Sequence, residues 1–304
     1  MIDSTASIFS PPLINGVSAS KVFLPHDISA PTIFAYLCQH FPHIQSSEWQ
    51  QRFNDELIYA ANGEKLKIES HYTPNSHIFY YRFLAHEVSV PFQHEILFEN
   101  ENLLVVDKPH FLTMTPTGQY VQETLLVRLK KQTGYEDLTP IHRLDRETAG
   151  IVLFCKKPEL RGIYQQLFSD RKVQKIYHAI AAYRAELHFP QILQLHLEKG
   201  QPFYTMQINS EKPQNSETLI ELLEHNQHYA KYQLKPKTGK QHQLRVHLNY
   251  LGIPILNDPF YPVVAHKADD DFEQPLQLLA KQIYFIDPVL NQEMHFNSKF
   301  KLTL

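Results

Sequence analysis

The order of its apolar segments limits the folds open to this chain more than any other feature. Glu95–Phe98, Leu103–Val106 and Ile151–Cys155 are short, largely apolar runs that predict strands. A helix of about thirteen residues is predicted after Gly118, ending at Gly134 as its C′ glycine. Strand-like and helical segments do not alternate regularly, which disfavours a doubly wound parallel sheet. The sequence therefore predicts an α+β fold with a large mixed sheet.

The first 90 residues predict a separate small unit. Residues 33–41 carry apolar side chains at helical spacing, which predicts a helix. Asn62-Gly63 lies between two strand-like runs and predicts a hairpin with a type I′ turn. Residues 77–82 predict a further strand.

The charge distribution supports a boundary after this unit. Residues 1–90 hold five Lys and Arg against eight Asp and Glu, whereas residues 91–304 hold 24 of each. We divide the chain into an amino-terminal extension at residues 1–19, a small domain at 20–88 and a main domain at 89–304.

The overall charge is nearly balanced, with 29 Lys and Arg against 32 Asp and Glu and a formal net charge of −3. Taken alone, that balance argues against a polyanionic partner, because nucleic-acid binding draws much of its affinity from Lys and Arg. The local charge changes this interpretation. Residues 231–245 carry five positive side chains and no acidic one, and residues 156–175 carry six positive and two negative ones. A local cationic track leaves a nucleic-acid partner open.

Composition and motifs disfavour several other classes of protein. No apolar run reaches the roughly 18 residues of a membrane-spanning helix, and the first residues do not resemble a signal peptide. We therefore expect a cytoplasmic protein that does not bind membranes. Cys38 and Cys155 stand singly and far apart, and the 18 histidines form no HExxH motif. We expect neither a disulfide framework nor a metal site.

The densest polar segment with apolar flanks is Pro140–Gly150. A protein-kinase catalytic loop is excluded, because Leu144 separates Arg143 from Asp145 and Gly150 stands where that motif needs Asn. On residue types alone, a catalytic loop and a salt-bridged turn both remain open.

A second segment, Lys235–Leu248, is cationic. Gly239-Lys240 fails as a P-loop, because Leu234 replaces the first Gly and Gln241 replaces Ser or Thr. A solvated charged face and an anion-binding surface both remain open.

The two segments together resemble a known family. His142–Gly150 is similar to the HRLDxxTSG signature of the RluA-type pseudouridine synthases, with Ala149 for the usual Ser. Three further segments fall in that family's order: Asp107–Pro109 resembles its DKP segment, Lys175–Ala179 its KxYxA strand, and Gly239–His247 its GRTHQIRVH segment. The resemblance covers about two thirds of the chain, residues 95–290.

The chain also departs from the family pattern. His110 stands where the family usually has Gly, Lys240-Gln241 replaces Arg-Thr, and Leu279 replaces a His. None of these departures falls on a residue that the resemblance assigns to the chemistry.

The resemblance implies a fold and an activity. The fold would be that of pseudouridine synthases, with a large mixed, mostly antiparallel sheet flanked by helices and a preceding S4-like unit. The activity would be that of an RNA-uridine isomerase, an intramolecular transferase acting on rRNA or tRNA. Because the reaction detaches uracil from C1′ and rejoins it through C5, it is an isomerisation, and we expect no cofactor.

Three residues are assigned to the chemistry by the same resemblance. Asp145 either attacks C1′ as a nucleophile or takes a proton from C2′ as a base, since a carboxylate can trap or stabilise positive character at a sugar. Arg245 is expected to pair with Asp145 and keep it ionised. Tyr177 is expected to stack on the base and help remove the C5 proton.

Six further residues are assigned to RNA binding: Arg143, His142, Lys235, Lys237, Lys240 and Leu244. Arg143 resembles the family arginine that fills the space left by the flipped uridine. His142 is expected to brace the loop or contact a phosphate, and the three lysines are expected to contact phosphates.

Two other functions remain open. The first is an RNA-binding protein that keeps the fold without catalysis, and the second is a glycosidase, for which no motif supplies a second carboxylate. In the leading interpretation the protein is a monomer that binds RNA.

Overall fold

The computed structural model describes residues 9–82, 84, 87–265 and 267–304. The first eight residues of the predicted extension lie outside this part of the chain. The described chain falls into two compact units: Met1–Glu87 with Pro116–Gln122, and Val88–Thr115 with Glu123–Leu304. The inclusion of residues 116–122 in the first unit was not foreseen from the sequence.

Three antiparallel strands and two helices form the first unit. In chain order they are β1 (Ser20–Leu24), α1 (Ile33–His40), α2 (Ser46–Asn54), β2 (Ile58–Ala60) and β3 (Ser76–Tyr80), and the sheet order is β1-β3-β2. The side chains of Leu37 and Trp49 from the two helices are fully buried against Ile58 and Ile78 of the sheet. The predicted helix at 33–41 and strand at 77–82 are confirmed within about one turn.

The turn after β2 differs from the prediction. Ala60 N–H donates to the Glu64 carbonyl, which makes a three-residue loop, and only Gly63 of the Asn62-Gly63 pair has a positive φ, at 88°. A type I′ turn needs positive φ at both central residues. The prediction of that turn type was therefore wrong, and the loop has the arrangement of a type I turn followed by a left-handed glycine.

The second unit contains the other strands and helices: β4 (Glu95–Glu99), β5 (Leu103–Lys108), α3 (Leu125–Thr133), β6 (Thr139–Pro140), β7 (Ala149–Cys155), a 3₁₀ turn (Pro158–Leu160), α4 (Arg161–Ser169), β8 (Gln174–Ala182), β9 (Gln191–Leu195), β10 (Leu197–Lys199), β11 (Met206–Ile208), β12 (Ser216–His225), β13 (Tyr229–Pro236), α5 (Gln243–Tyr250), β14 (Leu278–Ile286) and β15 (Glu293–Asn297). Ten of the strands form one sheet with the order β4-β5-β7-β14-β8-β13-β12-β9, in which β15 also pairs with β14 and β6 with β7. All of its pairings are antiparallel except that of β14 with β7. The α+β fold with a large, mostly antiparallel sheet is confirmed.

Both faces of the sheet are buried around β5 and β7. Alternate residues such as Leu104 and Val152 pack with residues of α3, while Val105 and Leu153 pack with residues of α4 on the other face. This burial explains why both strands read as continuous apolar runs. Of the described helices, none is both long and apolar enough to span a membrane.

Helix α3 is shorter than predicted. It begins at Leu125 because the Thr124 side chain accepts the N–H of Val127 as an N-cap, and it ends at Gly134, whose φ is 73°. The backbone N–H groups of Leu125 and Leu126 donate to residues 113 and 114. The predicted end of the helix is confirmed, whereas its predicted start was wrong.

Candidate active site

Asp145 lies in the loop between β6 and β7, next to the point where β7 and β14 run parallel. Thr148 N–H donates to the Asp145 carbonyl at 3.1 Å, which closes the loop before the strand. Gly150 follows with a φ of 116°, and a Cβ at this position would lie 2.3 Å from the Ala280 carbonyl oxygen. The absence of a side chain at residue 150 thus lets the loop enter the sheet beside β14.

Two side chains, one at the end of β5 and one in the turn after it, each bond to a backbone carbonyl of this loop. The buried Lys108 ammonium donates to the carbonyls of Pro109, Leu112 and Arg146 at 2.9, 2.9 and 3.1 Å. Burial lowers the pKa of Lys108. The three carbonyl acceptors oppose that effect, because they match the three N–H bonds of the charged ammonium. His110 Nδ1 lies 2.7 Å from the Glu147 carbonyl and must donate, since a carbonyl only accepts. The departure at His110 therefore adds a second tether to the loop.

Arg245, on α5, bridges two carboxylates. Its Nη1 donates to Asp145 Oδ2 at 3.3 Å, while Nε and Nη2 donate to Asp258 at 2.8 and 2.6 Å. The residue is 1% exposed. Burial lowers the pKa of Arg245, but the hydrogen bonds and charge of Asp258, with the charge of Asp145, outweigh it and raise that pKa. A fixed, charged guanidinium therefore lies beside one oxygen of Asp145.

The loop that leads into α5 is fixed by Gln243. Its buried side-chain oxygen accepts from the Thr238 hydroxyl and the Lys240 N–H, and its nitrogen donates to the Glu217 carbonyl and to Thr218 Oγ1. All the hydrogen-bonding capacity of the amide is used, so the start of α5 is rigidly tied to β12.

Tyr177, on β8, lies near Asp145. It pairs across the sheet with Leu234 of β13 and Ala280 of β14. Burial, and to a lesser extent the negative charge of Asp145, raises the pKa of the Tyr177 phenol. The side chain is therefore a neutral phenol at physiological pH.

These residues line one cavity of about 170 Å³. Asp145, Tyr177 and Arg245 contribute to its wall together with Thr148, Leu244 and Leu278. Within the described residues, no hydrogen bond or ion pair reaches Oδ1 of Asp145. The cavity therefore combines an ionisable carboxylate that has one unbonded oxygen with a fixed cation on the other oxygen, which suits reaction at a sugar carbon.

Arg143 and His142 differ sharply in their surroundings. Arg143 is exposed and lines the cavity. His142 Nε2 accepts the N–H of Leu153 at 3.1 Å, and its ring stacks on Phe168 with centroids 4.6 Å apart. Burial, reinforced by the charge of Lys175, lowers the pKa of His142 to about 3, which leaves a neutral ring. These contacts support the bracing role expected of His142 and oppose a phosphate contact.

The cationic track is largely neutralised by the neighbouring strand. Lys235 Nζ lies 2.8 Å from Oε2 of Glu221 on β12, and Lys237 Nζ lies 3.1 Å from Oε1 of Glu217. Lys231 pairs with Glu224 in the same way at 3.1 Å. Lys235 and Lys237 are therefore each paired with a carboxylate in the free protein, which the local charge of +5, counted along the sequence, leaves out.

The positive groups that line the cavity are a different set. Lys240 and Arg143 have no carboxylate within ion-pair distance among the described residues, and both line the cavity with Lys175. Lys175 Nζ donates to the Thr238 carbonyl at 3.2 Å, and burial lowers the pKa of its ammonium. Leu244 is 7% exposed and packs in the apolar core under the cavity, so it shapes the wall and offers no polar contact to RNA.

Residues outside the predicted set complete the site. Asp258 fixes Arg245 through an ion pair. His242 lies beside Asp145, and the Tyr261 hydroxyl lies beside His242. Leu251-Gly-Ile-Pro254 with Asp258 resembles the GHPIxGD segment of the same family, and that resemblance was the available signal for Asp258. No group of His, Cys, Asp or Glu large enough to hold a metal ion occurs among the described residues.

Comparison with known proteins gives consistent matches. A family model for RNA pseudouridylate synthases matches residues 102–250. The uncharacterized RNA pseudouridine synthase MG209 homolog of Mycoplasma pneumoniae is 32% identical over 218 residues, which cover 69% of this chain and 67% of that one. The chain belongs to the RNA pseudouridine synthase family, in its RluA type.

Two further relatives extend the match. Ribosomal large subunit pseudouridine synthase D of Borreliella burgdorferi is 27% identical over 289 residues, which cover 87% of this chain and 85% of that one. The structure of human RNA pseudouridylate synthase domain containing 4 is 27% identical, with a TM-score of 0.53 over 68% of this chain and 88% of that chain. The motifs predict an isomerase that acts on RNA. This class is confirmed, because the chain belongs to the RluA-type synthases.

Proposed function

We propose that this RluA-type synthase isomerises specific uridines of rRNA or tRNA, with Asp145 as the reacting carboxylate. The observation that carries the proposal is the asymmetry of that carboxylate. Oδ2 accepts from the buried Arg245, and Oδ1 has no bond to the described residues. An ionised carboxylate with one oxygen held and one oxygen available is what either route at the ribose requires.

In the first route, Asp145 Oδ1 forms a bond to C1′ while the C1′–N1 bond breaks and its electron pair passes to N1 of uracil. The base then turns, C5 bonds to C1′ and the carboxylate leaves. The C5 proton is lost and N1 gains one. In the second route, the carboxylate removes the C2′ proton while the C1′–N1 bond breaks and its electron pair passes to N1, which gives a glycal and a uracil anion. The base then turns, C5 bonds to C1′, and the carboxylate returns the proton to C2′. The C5 proton is lost and N1 gains one, as in the first route.

Tyr177 acts as the surface on which the base stacks. Because the raised pKa keeps its phenol neutral, removal of the C5 proton by Tyr177 is disfavoured. The exposed Arg143, at the cavity, fills the space left by the flipped uridine, since its planar guanidinium stacks on neighbouring bases.

Every residue that lines the cavity comes from the second unit of one chain. This supports the proposal that the protein acts as a monomer. We keep residues 20–88 as an S4-like unit. The order of α1, α2 and the following turn supports this assignment.

Pseudouridine mapping tests the proposal. Total RNA from cells with the gene, without it, and with the gene for Asp145→Ala in its place is compared at single-nucleotide resolution. The ribosomal relative favours a site in large-subunit rRNA. One or a few sites that disappear without the gene and stay absent with Asp145→Ala support the proposal. Sites restored by Asp145→Ala, or no lost site, contradict it, and the second result favours an RNA-binding protein without catalysis.

A further inference from the structure

A chain of polar contacts leads from β11 to the reacting carboxylate. Met206 N–H donates to the Tyr261 hydroxyl oxygen at 2.8 Å, and the same oxygen lies 2.9 Å from Nδ1 of His242. Nε2 of His242 then lies 3.7 Å from Oδ2 of Asp145. His242 is 7% exposed, so these neighbours define its surroundings.

The proton positions in this chain follow from the donors available. Tyr261 already accepts the Met206 N–H, and burial raises the pKa of its phenol to about 12, so its O–H is available to Nδ1 of His242. Burial lowers the pKa of His242 to about 4, and the ring is therefore neutral. A neutral imidazole carries one N–H. With Nδ1 accepting, that N–H is on Nε2, the nitrogen beside Asp145.

The backbone of His242 is held in an uncommon conformation. Its φ is 52° and its ψ 17°, in the left-handed region, directly before α5. Such a conformation is unfavourable in a non-glycine residue and persists where the surrounding structure enforces it. Here the hydrogen bonds of the neighbouring Gln243 fix the loop, and the position of His242 beside Asp145 results from them.

We propose that His242 is a positioning residue whose Nε2–H donates to Oδ2 of Asp145 in the RNA complex. The inference rests on the proposed function of Asp145. Arg245 already donates to the same oxygen, so both donors hold Oδ2 and leave Oδ1 for the ribose. The separation of 3.7 Å exceeds a hydrogen bond in the free protein, and bonds of this kind commonly shorten when substrate binds.

The other ionisable groups near Asp145 come from several elements. Arg245 on α5 is positive and forms an ion pair with Asp258. Burial lowers the pKa of Lys108, at the end of β5, to about 7, and the phenol of Tyr177 on β8 is neutral. None of them replaces a donor lost from His242, since Arg245 is already bonded through Nε, Nη1 and Nη2. Loss of that donor therefore removes a hydrogen bond that favours the charged form of the carboxylate over the neutral form.

The test compares His242→Asn, His242→Gln and Tyr261→Phe in single-turnover reactions across pH, on an RNA that the wild type modifies. The amide nitrogen of Gln reaches the position of Nε2, whereas that of the shorter Asn does not. We expect His242→Asn to lower the rate about 10- to 100-fold, the range for a hydrogen bond to a charged group. We also expect the acid limb of its rate profile to move to higher pH, with RNA affinity unchanged. His242→Gln should recover most of the rate, and Tyr261→Phe should give an intermediate loss.

The results separate this inference from the proposed function. An active wild type with an inactive Asp145→Ala preserves the proposed function whatever the His242 variants do. Equal loss in His242→Gln and His242→Asn, or an unmoved acid limb in both His242→Asn and Tyr261→Phe, overturns the role of His242. If His242→Asn fails to fold by circular dichroism, Tyr261→Phe decides, and wild-type rate and profile in that variant contradict the inference.

Discussion

Arg245 divides its hydrogen bonds between two carboxylates that do different work. Asp258 takes two of them and is itself held by the N–H groups of Phe260 and Tyr261. Asp145 takes the third. Because the guanidinium is fixed by the first carboxylate, it offers the second a donor in a set position, without the cost of ordering a long side chain during the reaction.

Gly150 gives a prediction at the scale of one residue. We expect Gly150→Ala to lower the free energy of unfolding by about 3 kcal/mol or more, because its Cβ would lie 2.3 Å from the Ala280 carbonyl oxygen and its φ is positive. Gly162→Ala in α4 is the matched control. A Cβ there meets no atom within 4 Å, and we expect a gain of about 0.5–1 kcal/mol. Urea denaturation measures both, and equal stability of the two variants would contradict this account.

At the same scale, the sequence predicted some residues of the site and missed others. The pairing of Arg245 with Asp145 followed from the motifs and occurs in the structure. Asp258 and His242 were missed, because their roles depend on how the chain folds back on both sides of α5. Both residues lie in segments that resemble the family pattern, but their contacts with Arg245 and Asp145 depend on parts of the chain distant in sequence.

At the scale of elements, the pairing of β12 with β13 explains why the cationic track carries less net charge in the fold than its sequence indicates. The strands are antiparallel, and their register sets Glu side chains of β12 beside Lys231 and Lys235 of β13 and beside Lys237, which follows that strand. The hydrogen bond from Lys235 is the largest of the effects that lower the pKa of Glu221. The apolar pattern predicts that strands exist, but their pairing and register depend on contacts distant in sequence.

This pairing yields a prediction about salt dependence. We expect Lys240→Gln to reduce the slope of log affinity for RNA against log salt by about 1, because Lys240 is free to neutralise a phosphate. The double variant Lys235→Gln, Lys237→Gln should leave that slope unchanged, since both lysines are paired with Glu. Fluorescence anisotropy over a salt series measures the slopes. A larger change in the double variant than in Lys240→Gln would count against the assignment.

At the scale of the whole molecule, buried neutral histidines couple stability to pH. Burial lowers the pKa of His110, His242 and His247 to about 4 and that of His142 to about 3. Between the ordinary pKa of about 6.5 and these values, the unfolded chain binds protons that the folded chain does not. Stability therefore falls as pH falls through this window, even with the RNA site empty.

His247 allows this coupling to be tested apart from the active site. It is fully buried, with Nε2 2.9 Å from the Ser216 hydroxyl. We expect the free energy of unfolding of His247→Gln to decline less steeply than that of the wild type between pH 6.5 and 4, the difference being up to about 3 kcal/mol. The exposed His43→Gln is the control and should follow the wild type. Parallel pH curves for the wild type and His247→Gln would refute the coupling.

The most direct test of the role of Asp145 uses purified protein and RNA tritiated at C5 of uridine. The wild type should release tritium in proportion to pseudouridine formed, and Asp145→Ala should release none above background while its RNA affinity stays within about threefold of the wild type. Asp170→Ala, at the exposed end of α4, is the control for a lost carboxylate and should retain full activity. Tritium release by Asp145→Ala at the wild-type rate would contradict the central claim.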